Sequence, residues 1–526
     1  MSNKITYFLL ALVVFLAIAA RFFKLDSYPP SVTWDEASVG YNAYTIVNWG
    51  KDEWGRTLPI TFKSFGDDKN PVHIYLTAPF VAIFGLNDFA VRASAATFGV
   101  LNVIVLFFLV RSIFKSNATG LIASLFLAIS PYNIQFSRFN HELNFAIFFF
   151  LLGVYFFYKT IQGNLKYLPF AFLSFGIDLL TYQSAKVVTP LLVTLLILVN
   201  LKNLLKFKKY LISGLLIYAF FISLLFIKPE LLGGERLKQN SIPKEQIAEI
   251  GIPKILLNRY QKYFDIKYLF ITGDTNPRHS VQSFGAFYWY ELPLLVIGFF
   301  GILYRLFFKK DYQMLFLLAW IFISPIPAVA SSEIPHAARA MFMLGSWTIT
   351  SAYGAYLIIS LLKNKYYQLI SSILLLAVAG FFFQKYLKVY YGEYTKKYAI
   401  EWIYGMKEIV RSTNKKDLYR VYMTDSRMQP YIFFLYYLKT PLPEFLESVK
   451  YNQTKSKPSN LIAGFEKYRF IWSEINSTPS DGVAYVVNPS VYDGLVYKND
   501  FEVLKLVKYP DGTDAFYVIT KKYAEE

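Results

Sequence analysis

Apolar stretches of roughly twenty residues recur through most of the sequence, and this feature most constrains what the chain can fold into. Of the 526 residues, 55% are hydrophobic and 17% are charged, whereas soluble domains carry about 25% charged residues. We therefore predict an α-helical polytopic membrane protein with about eleven transmembrane helices. The predicted spans are residues 5–23, 89–112, 117–135, 143–160, 167–183, 187–201, 210–228, 287–306, 313–330, 341–362 and 366–388.

Lysine and arginine residues in the short loops predict the orientation of these spans. The strongest cluster comprises Lys202, Lys206, Lys208 and Lys209, and loops rich in Lys and Arg stay in the cytoplasm. We read the first apolar run as a retained anchor, because no small-residue cleavage site follows it. With the cationic loops inside, the segments on the non-cytoplasmic side are residues 24–88, 131–142, 229–286, 331–340 and the chain after 390. We expect a multi-pass plasma-membrane protein.

The net charge of +18 does not indicate a nucleic-acid partner. Much of this charge lies in short loops between spans, where it sets orientation, and no nucleic-acid-binding motif is present. The absence of cysteine excludes disulfides, thiolate metal sites and a cysteine nucleophile. The motifs of soluble-nucleotide and protease chemistry are also absent. We therefore predict a membrane lipid as a partner and no nucleic acid.

The chain after residue 390 is less hydrophobic and predicts a small soluble α/β domain of about 130 residues. Apolar stretches at Tyr419–Met423 and Val483–Val487 indicate strands, and residues 399–410 indicate a helix. The dipeptide Asp511-Gly512 between two apolar runs predicts a hairpin. We thus expect a catalytic membrane domain at 1–390, with a long first external loop at 24–88, and an extracytoplasmic domain at 391–526.

The first external loop contains two groups of charged residues. Thr33 and Glu36 fit a capping box, which places Asp35 in the first turn of a helix. Capping explains Glu36, whereas Asp35 is open to two interpretations, an acid that favours a helix start or a catalytic carboxylate. The second group, Asp67-Asp68-Lys69-Asn70-Pro71, precedes an apolar stretch. Its lysine either binds a lipid phosphate or merely extends to the membrane surface.

Further charged residues lie at the predicted outer membrane edge: Arg138, Glu142, Arg278, His279, His336 and Arg339. Arg138 and Glu142 either pair with one another or face a cavity. The arginines at 278 and 339 suit phosphate, which guanidinium groups bind through two hydrogen bonds. Histidine is the commonest metal ligand, yet no two histidines have a His-x-x-x-His spacing. The sequence establishes no cofactor, and it leaves open whether the protein binds a divalent metal ion.

The stretches SPYNIQFSRFNHELN, NPRHS and PHAARAMFML, together with the acidic pair and the Lys-x-Pro element of the first loop, resemble a known family. Over residues 1–360 the chain is similar to the GT-C glycosyltransferases. The branch of this family that the chain resembles contains the protein O-mannosyltransferases and the lipid A aminoarabinose transferase. This resemblance implies transfer of a sugar from a polyprenyl-phosphate donor to a hydroxyl of a protein or glycolipid acceptor, with inversion.

The resemblance also implies roles for individual residues. Asp35 matches the catalytic aspartate of the first loop, and Glu142 matches a second external acid. Lys69 matches the lysine that holds the donor phosphate, and Asp68 matches an acidic neighbour that helps to bind metal or sugar. Residues expected near the leaving phosphate are Arg278, His279 and Arg339, and the predicted substrate-binding set also includes Glu36, Arg138 and His336.

Two other functions fit the sequence. One is a polymerase or ligase that uses a lipid-linked oligosaccharide, and the other is a non-enzymatic lipid flippase or transporter. Transporters place their polar sites near the middle of their spans, whereas the charges here cluster at one predicted face. This distribution favours an enzyme. The identities of the sugar and the acceptor do not follow from the sequence.

Overall fold

The structure is a computed structural model, which describes residues 2–65, 67–233, 251–331, 333–423, 429–452, 461–470 and 479–522. The chain forms two compact units: a first unit of residues 1–23 and 95–390, and a second unit of residues 24–94 and 391–526. The first loop, which we assigned to the membrane domain, therefore packs with the C-terminal part. The division into a catalytic membrane domain and an extracytoplasmic domain stays a prediction.

The described elements are mainly helices. In chain order the helices are α1 (Asn3–Phe22), α2 (Trp34–Trp49), α3 (Val72–Phe84), α4 (Asp88–Phe114), α5 (Asn117–Ile129), α6 (Pro131–Ser137), α7 (Leu143–Ile161), α8 (Tyr167–Leu179), α9 (Ala185–Leu204), α10 (Lys208–Ile227), α11 (Ile252–Gln261), α12 (Glu291–Phe308), α13 (Gln313–Ile323), α14 (Met343–Leu361), α15 (Lys365–Val389), α16 (Thr395–Lys397), α17 (Met406–Thr413), α18 (Pro430–Leu438), α19 (Leu442–Ser448) and α20 (Pro489–Asp493). The strands are β1 (Phe62–Ser64), β2 (Asp67–Lys69), β3 (Arg420–Met423), β4 (Lys450–Tyr451), β5 (Ile462–Phe465), β6 (Tyr468–Arg469), β7 (Val483–Val487), β8 (Phe501–Lys508) and β9 (Asp514–Lys521).

The first unit consists of apolar helices. Among the described residues, six helical stretches are long and apolar enough to cross a membrane: Asn3–Phe22, Asp88–Phe114, Leu143–Ile161, Ala185–Ile227, Glu291–Phe308 and Lys365–Lys397. The predicted polytopic helical fold is confirmed, and each predicted span coincides with helical structure. The number of helices that cross the membrane stays a prediction.

Two predicted spans are interrupted by proline. The span predicted at 117–135 divides into α5 and α6 at Ser130-Pro131, with the Ser130 hydroxyl accepting from the Asn133 N–H. The helix of the span predicted at 313–330 ends at Ile323, just before Pro325. Proline lacks the N–H that would continue a helix, and it disfavours helical backbone at the preceding residue. The first break makes α6 a separate short helix, and Arg138 lies directly after its last residue.

Glycine allows α12 and α14 to pack closely. A Cβ atom at Gly298 would lie 1.9 Å from the Thr350 carbonyl oxygen, and one at Gly354 would lie 1.8 Å from the Leu294 carbonyl oxygen. Small residues at such crossings let helix backbones approach, which is the main source of packing between apolar helices in lipid. α14 follows directly after the segment that carries His336 and Arg339, so this packing anchors that segment.

The second unit contains a seven-stranded sheet of order β4-β5-β6-β3-β7-β9-β8. β3 pairs in parallel with β6 and β7, and the remaining pairs are antiparallel. The strand predicted at Val483–Val487 is confirmed, as is the hairpin around Asp511-Gly512. The helix predicted at 399–410 is wrong at its start: α17 begins at Met406, because Gly405 has a φ of +102° that helical backbone does not permit.

The helix α2 is part of the core of this second unit. Tyr41 and Ala43 are buried in one apolar cluster with Tyr431 and Phe434 of α18. The Tyr41 hydroxyl donates to the Thr440 carbonyl oxygen at 2.9 Å. These contacts give the start of α2, where Asp35 lies, a fixed position on a packed core.

Candidate active site

The start of α2 has the predicted capping box. The Glu36 N–H donates to the Thr33 hydroxyl at 3.2 Å, and the Thr33 N–H donates to Glu36 Oε2 at 3.0 Å. Both residues satisfy N–H groups that a helix start would otherwise leave unpaired. The helix therefore begins where the sequence predicts, with Asp35 in its first turn.

Glu36 also forms a fully buried ion pair. Its Oε1 lies 2.9 Å from Nε of Arg92, and both side chains have 0% exposure. The same guanidinium donates to three carbonyl oxygens, those of Leu25, Pro29 and Ser31. Arg92 thus ties the chain before α2 to the helix itself. This geometry favours a structural role for Glu36, and its substrate-binding role stays a prediction that these contacts do not support.

Asp35 and Lys69, which are distant in sequence, form an ion pair. The Lys69 ammonium lies 2.9 Å from Asp35 Oδ1, and the side chains are 9% exposed for Lys69 and 37% exposed for Asp35. The ammonium also lies over the ring of Phe65, 4.9 Å from its centroid. The short hairpin of β1 and β2 carries Lys69 at its end. A partly exposed carboxylate and a largely buried cation therefore share one place in the second unit.

The side chains of Asp68 and Lys69 point to opposite faces of the hairpin. Successive side chains of a strand point to opposite faces, and both residues lie in β2, where Lys69 pairs with Phe62 and Asp68 with Lys63. The backbone therefore separates Asp68 from Lys69. Its predicted part in metal or sugar binding stays a prediction.

Glu53 is an acid near Lys69 that the sequence patterns did not reveal. It has 0% exposure, and its Oε1 accepts from Nε1 of Trp54 at 3.2 Å. Burial raises the pKa of Glu53 to about 8, while the Lys69 ammonium acts in the opposite direction. The surrounding sequence, Lys51 to Arg56, is charged and resembles an ordinary solvated loop, so no local pattern identifies this acid as buried.

The raised pKa of Glu53 predicts a pH-dependent stability. An acid whose folded pKa exceeds its unfolded pKa binds more protons in the folded protein, so stability falls as pH rises from about 4.5 to about 8. As the pH rises from about 4.5 to about 8, we expect the unfolding midpoint of Glu53→Gln to fall less than that of the wild type. The measurement is the unfolding midpoint in detergent as a function of pH. The exposed Glu447→Gln serves as the control, and an unchanged pH dependence in Glu53→Gln would contradict the prediction.

In the first unit, Asp274, His279 and His336 form a cluster. Asp274 Oδ2 lies 2.7 Å from His279 Nδ1, and the two imidazole rings lie 4.9 Å apart between centroids. Burial by itself would raise the pKa of Asp274, but the hydrogen bond and charge of His279 and two backbone N–H groups keep it below the usual value. Burial, with the nearby charges of His279 and Arg339, lowers the pKa of His336 to about 3. Asp274 was missed although it lies two residues before the NPRHS stretch, because no pattern in the sequence marks this acid as buried.

This cluster has the composition of a cation site, because one ligand atom from each residue lies within 4.8 Å of the others. Two of its nitrogens are nevertheless engaged in hydrogen bonds. His279 Nδ1 bonds to Asp274, and His336 Nδ1 accepts from the Arg339 N–H at 3.4 Å. We therefore do not identify these residues as metal ligands, and the sequence-based possibility of a divalent metal stays open.

Arg138 and Glu142 lie between α6 and α7. Arg138 is fully buried. Its guanidinium donates to carbonyl oxygens at the end of α1, those of Ala20, Arg21 and Phe23, at 3.0, 3.0 and 2.7 Å. These are carbonyls that a helix end leaves unpaired, so the geometry favours helix capping for Arg138. Glu142 lies 2.8 Å from His141 Nδ1 through Oε2. Substrate binding by Arg138 and catalysis by Glu142 stay predictions.

The backbones of Arg278 and Arg339 are fixed by side chains of other segments. Gln135 Nε2 donates to the Arg278 carbonyl oxygen at 2.9 Å, and the Ser184 hydroxyl donates to the Arg339 carbonyl oxygen at 2.8 Å. Both residues are close to the cluster in sequence, Arg278 directly before His279 and Arg339 three residues after His336. The first unit thus gathers the residues predicted to lie near the leaving phosphate, and their role there stays a prediction.

Comparison with known proteins shows which family model and which solved structures the chain resembles. Residues 68–227 match the family model of dolichyl-phosphate-mannose-protein mannosyltransferase. No curated protein matches the sequence. Among solved structures, ArnT from Cupriavidus metallidurans, bound to undecaprenyl phosphate, is similar with a TM-score of 0.54 at 15% identity, over 97% of each chain.

A second similar structure is the archaeal oligosaccharyltransferase AglB from Archaeoglobus fulgidus, in complex with an inhibitory peptide and a dolichol-phosphate. Its TM-score is 0.55 at 13% identity, covering 82% of this chain and 63% of that chain. At such identities the likeness concerns the fold, and the family model supplies the sequence evidence. Together they confirm the predicted resemblance and the prediction of an enzyme. The family-model match over residues 68–227 and the similar structures thus both point to the GT-C superfamily of membrane glycosyltransferases.

Proposed function

We propose that the protein transfers a sugar from a polyprenyl-phosphate donor to a hydroxyl of a protein or glycolipid acceptor. We further propose that the reaction inverts the anomeric centre and occurs at the non-cytoplasmic face of the plasma membrane. The observation that carries the proposal is the Asp35–Lys69 ion pair at 2.9 Å. It combines the two groups that the reaction needs, a carboxylate that accepts a proton and a cation that binds a phosphate.

The chemistry of the leaving group explains this pairing. A phosphate leaves readily when cationic groups stabilise its developing negative charge. The attacking hydroxyl must lose a proton, and one well-placed carboxylate is sufficient as the general base. Asp35 is 37% exposed, so an acceptor hydroxyl has access to it. We assign the base to Asp35 and the phosphate contact to Lys69.

The ion pair is exposed mainly through Asp35, which is 37% exposed, whereas Lys69 is 9% exposed. A donor phosphate would compete with the Asp35 carboxylate for the Lys69 ammonium, because hydrogen bonds to charged groups contribute about 1.5–3 kcal/mol. Donor binding then releases the Asp35 carboxylate from its ion pair, so that it can act as a base.

The similar structures support the class of donor. ArnT is bound to undecaprenyl phosphate, and AglB is in complex with a dolichol-phosphate and an inhibitory peptide. Both lipids are polyprenyl phosphates, and both proteins have a fold similar to that of this chain. We extend this donor class to the present chain, and we leave the sugar and the prenyl length open.

Lys69→Ala tests the phosphate contact. We expect transfer at limiting donor to fall roughly 10- to 150-fold, because the substitution removes a charge-assisted contact to an anion. The measurement is transfer of labelled sugar from a polyprenyl-phosphate sugar in detergent, with donor concentration varied. At saturating donor the loss should be smaller.

Lys63→Ala is the matched control. Lys63 lies in the same hairpin and its ammonium is 4.3 Å from the ring centroid of Trp54, but it pairs in register with Asp68. We expect near-normal transfer from this variant. Equal losses in both variants would show that general positive charge, rather than Lys69 itself, serves the donor.

A further inference from the structure

The buried acid Glu53 lies next to the hairpin of β1 and β2. Its N–H donates to Asn42 Oδ1 of α2 at 2.9 Å, and its Oε1 accepts from the Trp54 indole N–H at 3.2 Å. The same indole N–H also donates to the carbonyl oxygen of Lys63 in β1 at 2.8 Å. Glu53 is therefore fixed between α2 and the hairpin, the two elements that carry the ion pair of the candidate site.

Aromatic rings connect Glu53 to Lys69 within the second unit. The Lys69 ammonium lies 4.9 Å from the centroid of Phe65, whose ring contacts that of Tyr431 edge-on, with 6.2 Å between centroids. Lys69 pairs with Asp35 at 2.9 Å, and its positive charge also acts on Glu53. The ammonium therefore has two carboxyl groups as neighbours, one partly exposed and one fully buried.

One oxygen of Glu53, Oε2, is buried without a hydrogen-bond partner in the part of the chain that the structure describes. The Tyr431 hydroxyl faces the carboxyl group but forms no hydrogen bond of normal geometry with it. A buried carboxylate oxygen without a donor is costly, and a proton on the carboxyl group removes its charge. Oε2 is therefore the atom at which Glu53 binds a proton.

The groups around Glu53 link its protonation to Lys69. Burial raises the pKa of Glu53 to about 8, the Lys69 ammonium acts in the opposite direction, and the adjacent Asp52 raises the pKa further. Tyr41 of α2 and Tyr431 of α18 also face Glu53, and burial raises the pKa of both phenols well above the usual value. A phosphate bound to the ammonium would offset its positive charge, so the pKa of Glu53 would rise.

We propose that Glu53 is a positioning residue for Lys69: as a carboxylate it competes with the donor phosphate for the ammonium, and as a neutral acid it leaves the ammonium to the phosphate. The proposal rests on the proposed function and deepens it, because it names a proton as the regulator of the same site. Glu53 itself does not touch the donor. The proton comes from the solvent, and donor binding and proton uptake favour each other.

The test is the pH dependence of undecaprenyl phosphate binding to the purified full-length protein. A phosphate monoester has a second pKa of about 6, so the charge of the lipid is constant in this range. From about pH 7.5 to about pH 9, we expect wild-type affinity to fall roughly 3- to 8-fold as Glu53 ionises. Glu53→Gln cannot ionise, so its affinity should change less than about 2-fold over the same range. Equal pH dependence in both proteins would overturn the proposal.

The direction of the effect separates this role from a structural one. Near pH 9 we expect Glu53→Gln to bind undecaprenyl phosphate more tightly than the wild type does, because the competing carboxylate is gone. A variant with a damaged site would bind more weakly at every pH, and that outcome would overturn the proposal. The exposed Glu447→Gln should follow the wild type. Any other group that titrates in this range is still present in both variants.

A second measurement uses only the wild type and decides the matter if Glu53→Gln does not fold. Calorimetric titration in two buffers of different ionisation enthalpy counts the protons taken up on binding. Near pH 8.5 we expect roughly half a proton per undecaprenyl phosphate. Undecaprenol, which lacks the phosphate, should cause no uptake. Absence of uptake with undecaprenyl phosphate, or equal uptake with undecaprenol, would overturn the proposal.

A transfer assay on the same wild-type preparation keeps the two proposals distinguishable. Absence of sugar transfer from every polyprenyl-phosphate sugar would contradict the proposed function, while loss of the pH dependence in Glu53→Gln would still support the role of Glu53 toward a phosphate. Conversely, normal transfer with equal pH dependence in both proteins would overturn the role of Glu53 alone.

Discussion

Asp35→Asn is expected to lower sugar transfer about 100-fold or more, the usual range for loss of a general base. Asparagine has nearly the same size and retains an acceptor oxygen at the helix start, but it cannot take a proton from the acceptor hydroxyl. The capping box of Thr33 and Glu36 is unaffected, so the helix should begin at the same place. The measurement is transfer of labelled sugar at saturating donor and acceptor.

Donor binding provides the internal control for this prediction. Asp35 holds the Lys69 ammonium at 2.9 Å, so removing its charge releases the lysine. We therefore expect Asp35→Asn to bind a polyprenyl phosphate at least as tightly as the wild type does. Asp26→Asn, an exposed acid of the same segment, should transfer normally. Weakened donor binding with a proportionate loss of transfer would assign Asp35 to binding and direct attention to Glu142 as the base.

The helical part of the fold was predictable because its signals are local. Each apolar stretch of sufficient length became a helix, and the capping box and the Asp-Gly turn lie within a few residues of the elements they define. Where local prediction failed, a local cause was present, as at Ser130-Pro131 and Gly405. Periodicity and turn residues contain this information because they act over one or two turns of chain.

The candidate site was predictable only in part, because burial depends on distant residues. Asp35 and Lys69 were both identified, yet their contact at 2.9 Å follows from the packing of the second unit. Glu53 and Asp274 were missed, since an acid in a charged or polar stretch is normally solvated. Arg138 was predicted to bind substrate, and its guanidinium binds the end of α1. A charged residue near a membrane edge has the same sequence signature in either role.

The buried pair of Glu36 and Arg92 predicts the largest effect on stability. Removing one partner of a buried ion pair leaves an uncompensated charge and costs about 3–5 kcal/mol. We expect Glu36→Ala to lose an amount in this range, because Arg92 stays buried with its carbonyl partners and the helix loses its capping acid. The measurement is the free energy of unfolding in detergent. Transfer activity per folded molecule should fall far less than in Asp35→Asn, which separates stability from chemistry.

A partly exposed pair in the same unit gives the matched control. Lys498 lies 2.9 Å from Asp493 Oδ1, and the two side chains are 41% and 71% exposed, so Lys498→Met should cost only about 0–1 kcal/mol. Glu36→Met combined with Arg92→Met should cost less than the sum of the single variants, since the double variant buries no unpaired charge. If Glu36→Ala is as stable as Lys498→Met, the buried pair does not hold the start of α2. The position of Asp35 would then depend on the apolar contacts of Tyr41 and Ala43 instead.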